Sequence, residues 1–365
     1  MNIAIYDIEK KNQHHLYPFS VNHASFEIKV GLYTNFERIK KVCRQEKINI
    51  NKIYLFVRED LSELIQERYP DCIVNPEDNP NIDLKFKGNS VVINIDERDN
   101  NIIMHLWDIF DYNEFLLKND FSNSDNYKHS NLCKIHDSSI QVNKDNIFIG
   151  EKSNIKAGSI LESEIRKNEC IVIGENVTID VGAIIQGNVF IDDNSYIAPG
   201  AKIRSGTFIG KNCKIGGEVS YSIVGDYSNK AHDGFLGHSF VGEWVNIGAG
   251  TNISNLKNNY SNIKYSYTDS DFINTNRQFL GSFIGDYSKL GISTMLNTGT
   301  HIGLGSNIFG GGFQKKYSAL FSWGKEEIVD FDRFIATCAI MKKRRGKKMS
   351  KIEIQFLKRI YDKIS

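Results

Sequence analysis

The chain has 365 residues, more than one hydrophobic core comfortably holds, and as a prior this points to about two domains of ~100–200 residues each. With 45 Lys+Arg against 44 Asp+Glu the formal net charge is +1, so no global field recruits nucleic acid or an anionic membrane, and any anionic ligand must be held locally. The opening Met1-Asn2-Ile3-Ala4-Ile5-Tyr6-Asp7-Ile8-Glu9-Lys10 carries acids inside an apolar stretch too short for a signal-peptide core, no run of about 18 apolar residues occurs, and the six cysteines form no C-x-x-C pair. The expectation is a cytoplasmic protein with reduced thiols and no membrane insertion.

Residues 2–8, 52–57 and 90–95 read as buried strands, separated by helical stretches at 35–46 and 61–69. Strands alternating with helices predict an α/β domain over 1–121. The first strand runs into Asp7-Ile8-Glu9-Lys10-Lys11-Asn12-Gln13-His14-His15, with no glycine before Gly31, and a phosphate-cradling nest without glycine is hard to build. Residues 122–136, rich in Ser, Asn and Lys, read as a linker.

From Ile173 the sequence is periodic: Ile173, Ile179, Ile185, Ile191, Ile197, Ile203, Ile209 and Ile215 stand at strict six-residue spacing. Ile149 and Ile155 precede them, and shifted registers resume at Val241, Ile247, Ile253 and at Ile284, Leu290, Leu296, Ile302, Ile308. Period six fits neither an amphipathic helix nor simple alternation. It fits a parallel β-helix, predicted over 137–322, in which each flat face turns one branched residue inward and glycine or Asp-Asn pairs form the corners. Stacking buries a continuous core that no single repeat buries alone. Residues 254–281 break the rhythm with polar and aromatic side chains (Tyr260, Tyr265, Tyr267, Arg277), as either a pocket-shaping loop or a passive surface hairpin. Residues 323–365 read as a helical extension, with apolar residues at helical spacing in 326–343 and 350–364 and the basic run Lys342-Lys343-Arg344-Arg345-Gly346-Lys347-Lys348 between them.

Several stretches resemble a known family: Gly216-Gly217-Glu218-Val219, Tyr227-Ser228-Asn229-Lys230-Ala231-His232-Asp233-Gly234-Phe235-Leu236-Gly237, Asn246-Ile247-Gly248-Ala249-Gly250-Thr251 and Ser254-Asn255-Leu256-Lys257-Asn258-Asn259-Tyr260. Gly285-Asp286-Tyr287-Ser288-Lys289, Asn297-Thr298-Gly299-Thr300 and Phe321-Ser322-Trp323-Gly324 are similar to the same group. This is the GlmU-like sugar nucleotidyltransferase family, related to the bifunctional N-acetylglucosamine-1-phosphate uridylyltransferase/glucosamine-1-phosphate acetyltransferase. The resemblance covers nearly the whole chain and is specific in the second half.

The resemblance implies a nucleotidyltransferase-like N-terminal domain, a left-handed β-helix, a homotrimer and active sites between subunits. It implies an acyl-CoA-dependent acyltransferase, an N-acetyltransferase using acetyl-CoA on a sugar phosphate or nucleotide sugar in cell-envelope or glycan precursor synthesis. In the family a histidine ahead of the N-I-G-A-G coil is the general base, and His232 holds that place. A sugar ammonium cannot attack a thioester, so a base must remove its proton as the C–N bond forms.

Gly248, Ala249 and Gly250 are the expected acyl-CoA contacts, their N–H groups facing the oxyanion. Asn246 and Asn255 match positions that bind amino sugar or acyl donor, Arg204 matches a phosphate-binding arginine, and Lys257 and Phe235 complete the substrate-binding set. Phe235 replaces a family tyrosine and Ser220 falls where the family has a substrate lysine, so the acceptor need not be glucosamine-1-phosphate. In the first domain Asn22-His23-Ala24 stands where the family carries Thr-Arg-Pro, so the phosphate-facing arginine is missing. Asp96 is the candidate metal ligand, for Mg²⁺ only if that domain is active.

The residues alone leave other readings open. His232 also fits a capped surface residue, Asn246 and Asn255 an asparagine ladder, Arg204 a covered coil face and Asp96 a loop carboxylate. The alternative functions are a sugar-1-phosphate nucleotidylyltransferase forming a UDP-sugar, and a non-catalytic trimeric scaffold.

Overall fold

The computed structural model describes residues 2–7, 16–76, 90–92, 105–122, 130, 132–163 and 169–364. It divides into two compact units, one of residues 1–109 with 331–365 and one of residues 110–330.

The first unit is α/β. Strands β1 (Asn2–Tyr6), β2 (Lys52–Val57), β3 (Ile73–Pro76) and β4 (Ser90–Val92) form a parallel sheet in the order β3-β2-β1-β4. Helix α1 (Asn35–Gln45) opens on a capping box, in which Glu37 N–H donates to Thr34 Oγ1 at 3.1 Å and Thr34 N–H to Glu37 Oε2 at 2.7 Å. Leu55 and Val57 of β2 and Leu61 and Ile65 around α2 (Ser62–Arg68) are fully buried.

Two C-terminal helices belong to this unit, α4 (Phe331–Lys343) and α5 (Lys351–Tyr361). Ser350 caps α5, taking Glu353 N–H at 3.0 Å, and Arg359 Nη1 lies 3.1 Å from Glu63 Oε2 of α2. The first lysine of the basic run, Lys342, is 9% exposed and donates to Glu353 Oε1 at 2.6 Å, so the run does not present all its charges to solvent.

The second unit is a left-handed parallel β-helix whose three walls hold 11, 8 and 9 strands among the described residues, all parallel except the last, Glu327–Ile328, which runs antiparallel to Ser322–Trp323. The expected isoleucines stack as predicted. Ile155, Ile179, Ile197 and Ile215 lie in register on one wall, Leu161, Ile185, Ile203 and Val219 on the second, and Ile149, Ile173, Ile191 and Ile209 on the third. All of these are completely buried.

The corners show why the repeat tolerates few residue types. Asn176, Asn194 and Asn212 occupy one corner with φ of 55, 61 and 58°, a left-handed conformation that asparagine tolerates better than most side chains. Beside them buried serines tie coil to coil: Ser195 Oγ donates to Gly210 O at 2.8 Å and takes Cys213 N–H at 2.9 Å.

The break in periodicity after Ile215 has a simple geometric cause. The core positions that follow are Val219, Val224, Lys230, Leu236 and Val241, so one step spans four residues and two span five instead of six. The insertion is a hairpin of Lys264–Ser266 and Phe272–Asn274 held against the coils by Tyr265. That side chain is fully buried, edge-on to Phe283 at 5.1 Å, with its hydroxyl 2.7 Å from His301 Nδ1. Helix α3 (Ile109–Ser122), which the sequence reading did not pick out, packs on the same unit through Asn113 Nδ2, 3.2 Å from Gly206 O, and through Asp111, paired with Arg277. Among the described residues no helix is long and apolar enough to cross a membrane.

Candidate functional site

After the wall strand Asn229–Lys230 the chain turns through Ala231, His232, Asp233 and Gly234 into the strand Phe235–Gly237. One coil further on, Asn246–Ile247 leads through Gly248, Ala249 and Gly250 into Asn252–Ile253. The two turns stack directly, with Gly250 N–H donating to Asp233 O at 2.9 Å. Gly234 is required there, since its φ is +124° and a Cβ would lie 2.0 Å from Thr251 O. His232 is exposed on this edge, beside the glycine turn.

The backbone donors of that turn are fewer than the sequence suggests. Gly248 N–H donates to Leu290 O at 2.9 Å and Gly250 N–H to Asp233 O, so two of the three expected oxyanion donors are already used between coils. Ala249 carries the remaining N–H of the set.

The wall that follows the turn gathers a second group. Phe235 N–H donates to Asn252 Oδ1 at 3.0 Å, and the Phe235 ring covers Gly237, where a Cβ would meet Phe235 Cζ at 2.5 Å and Asn255 Nδ2 at 2.6 Å. Asn255 Nδ2 lies 2.9 Å from His238 Nδ1. The His238 ring stacks on Tyr221 at 4.9 Å and on Phe279 at 5.2 Å. Burial first, and the Arg277 charge second, push His238 down to about 4, so its ring is neutral near pH 7 and its Nδ1 accepts the Asn255 amide. Tyr221, His238 and Phe279 were not singled out from the sequence. The spacing of one coil finds two of them, since 17 residues separate Tyr221 from His238 and 17 separate His238 from Asn255, whereas Phe279 comes from the insertion, 41 residues past His238.

Arg204 is exposed on the same wall, with Nε 3.2 Å from Glu218 Oε1, and Glu218 is in register with Phe235. An anionic acceptor at Arg204 would therefore compete with a carboxylate. Asn246 lies elsewhere, exposed on the preceding wall between Asn229 and Lys289. Lys257 is tied to its own loop, with Nζ 2.6 Å from Asn262 O. The structure thus brings His232 together with Gly248, Ala249 and Gly250, and brings Phe235 together with Asn255, while Asn246 and Lys257 stand apart within one chain.

In the first unit the sheet order reverses between β1 and β4, the switch point where open α/β sheets place ligands. Asp7 follows β1 there; its Oδ1 accepts Ser25 N–H at 3.0 Å, and Arg58 Nε lies 3.6 Å from its Oδ2. Beside Asn22-His23-Ala24, Arg68 Nη1 donates to Asn22 O at 2.9 Å and to Glu27 Oε2 at 2.9 Å. Burial raises the Glu27 carboxyl, but Arg68 and His23 outweigh it and hold the group at about 2. The loop is fastened by arginines that bind the protein itself, Arg58 through Ser20 O and Arg68 through Asn22 O. Asp96 and residues 8–15 lie outside the described residues.

Repeat, register and corner chemistry define a hexapeptide-repeat protein. Residues 170–205 match the profile of the bacterial transferase hexapeptide (six repeats). The chain is similar to the bifunctional protein GlmU of Clostridium kluyveri, 31% identical over 187 residues, covering 47% of this chain and 36% of that protein. The GlmU of Synechococcus elongatus is 33% identical over 126 residues, 33% of this chain and 27% of its own. That of Thermodesulfovibrio yellowstonii is 38% identical over 109 residues, 29% and 24%. A solved UDP-N-acetylglucosamine acyltransferase from Francisella novicida shares 14% identity at a TM-score of 0.25 over 64% of this chain and 78% of that one, too low to carry an argument. The chain carries hexapeptide repeats, is similar to these GlmU proteins over part of its length, and spans only about a quarter to a third of the length of these curated relatives.

Proposed function

We propose that the repeat unit is an acyl-CoA-dependent acyltransferase, an N-acetyltransferase using acetyl-CoA on the amino group of a sugar phosphate or nucleotide sugar, working as a cytoplasmic homotrimer in glycan precursor synthesis. The observation that carries this is an exposed imidazole, His232, one stacked turn away from Gly248-Ala249-Gly250. In the reaction the amine attacks the thioester carbonyl and His232 takes its proton. The oxyanion is held by main-chain N–H, with Ala249 the favoured donor, and CoA leaves as its thiolate, which is then protonated by the imidazolium. Phe235, Asn255 and Arg204 are assigned to the acceptor, and Asn246 to a site completed by a second subunit. The first unit is assigned no nucleotidylyl transfer, a reading supported by the self-directed contacts of Arg58 and Arg68.

The test is to incubate the full chain with acetyl-CoA and a panel of amino-sugar phosphates and UDP-amino sugars, following free thiol. Pyrophosphate release from nucleoside triphosphates plus sugar-1-phosphates and Mg²⁺ is followed in parallel. Acceptor-dependent thiol release is expected. Pyrophosphate release with no thiol from any acceptor would replace this reading by the nucleotidylyltransferase, and silence in both assays would favour the scaffold.

A further inference from the structure

One position in the core breaks the chemistry of its row. Along the first wall the inward side chains run Ile155, Ile179, Ile197 and Ile215, and later Ile247, Leu290 and Ile308; between these two groups, in register with Ile215, stands Lys230, 2% exposed. An amine in a wall of isoleucines is costly to bury, so stability does not explain its presence. Its contacts suggest a different role. Lys230 Nζ donates to Gly216 O at 2.9 Å and to His232 O at 2.8 Å. The turn of the coil before is two residues short, passing from Ile215 to Val219 through Gly216, Gly217 and Glu218. A Cβ on Gly217 would lie 2.8 Å from the amine and 2.6 Å from Gly234 O, so this glycine leaves the amine its room.

We infer that Lys230 is the positioning residue of the candidate site: from inside the coil its amine clamps the main chain at His232, and so fixes where the imidazole stands against the glycine turn. The inference rests on the acyl-transfer reading above. Burial pushes the amine down to about 8, with the Asp233 charge acting in the opposite direction. The carbonyl of His232, drawn inward, leaves its side chain on the exposed edge, and the Asp233 carbonyl is the one that meets Gly250 N–H.

The experiment compares wild type with Lys230→Met, which keeps the length of the side chain and restores an apolar row. The melting temperature is expected to hold or rise while kcat falls by about 10–100-fold, the scale of a misplaced catalytic group, with KM for acetyl-CoA unchanged. The Gly250 amide, which joins the two turns, exchanges with solvent faster in the variant. Wild-type kcat together with unchanged Gly250 exchange would overturn the inference. If the wild-type chain transfers no acyl group, the functional reading fails and Gly250 exchange alone decides whether Lys230 holds the turn. If Lys230→Met does not fold, the wild type supplies the measurement: a slowly exchanging Nζ proton signal close to residues 216 and 232 supports the clamp, and its absence overturns it.

Discussion

Replacing Gly234 by alanine perturbs the turn that carries His232 in two separable ways. The φ of +124° is a region essentially reserved for glycine, which costs a side chain about 1–3 kcal/mol. The new Cβ would also stand 2.0 Å from Thr251 O, a main-chain atom of the next coil that cannot swing aside. Relieving that contact means moving one turn off the other, an overpacking cost of about 1–3 kcal/mol more. For a unit of this size roughly 2–4 °C is lost per kcal/mol, so Gly234→Ala should lower the melting temperature by roughly 5–20 °C. Gly182→Ala is the control, because its φ is +67° and nothing lies within 4 Å of the added Cβ, leaving only the left-handed penalty of about 1–2 kcal/mol. Thermal unfolding followed by circular dichroism, with acetyl transfer on the same samples, reads both. Equal melting temperatures for the two variants would refute the stacked-turn geometry on which the site is built.

Three further outcomes are expected. His232→Ala should lower kcat by ~10²–10⁴-fold and leave the melting temperature unchanged, because the side chain is exposed and alanine keeps the carbonyl that Lys230 holds; wild-type turnover on the identified acceptor would leave the histidine without a catalytic role. Sedimentation at micromolar concentration should give a trimer, and a monomer would remove the site shared between subunits. The third concerns acid. His238 is held at about 4 against an ordinary 6.5, so the unfolded chain binds its proton first, and the stability contribution present above 6.5 is lost as pH falls toward 4. His238→Gln should reduce the slope of the melting-temperature curve in that window without abolishing it, because the buried His301, held at about 3, loses stability in the same direction; an unchanged acid slope would show that His238 is not a source of it.

The sequence by itself determined the solenoid, because one branched residue every six positions has a single economical packing, and plain alternation placed β1, β2 and β4 with α1 and α2, while the strand Ile73–Pro76 went unread. His232 and the glycine turn lie in short contiguous motifs and could be picked out through the family resemblance those motifs carry. Tertiary structure alone decided what depends on neighbours one coil away. Residues 17 apart in the chain become stacked partners, as Tyr221, His238 and Asn255 do, and across the insertion the spacing widens to 41 for His238 with Phe279 and 42 for Gly248 N–H with Leu290 O, so these contacts appear only once the coils are laid on one another. The same holds for the steps of four and five residues after Ile215, which hide Lys230 from a period-six reading and place it in the core. At the other end of the chain, helical spacing announced α4 and α5, but their membership of the first unit was set by long-range contacts such as that of Arg359 with Glu63, which no local pattern encodes.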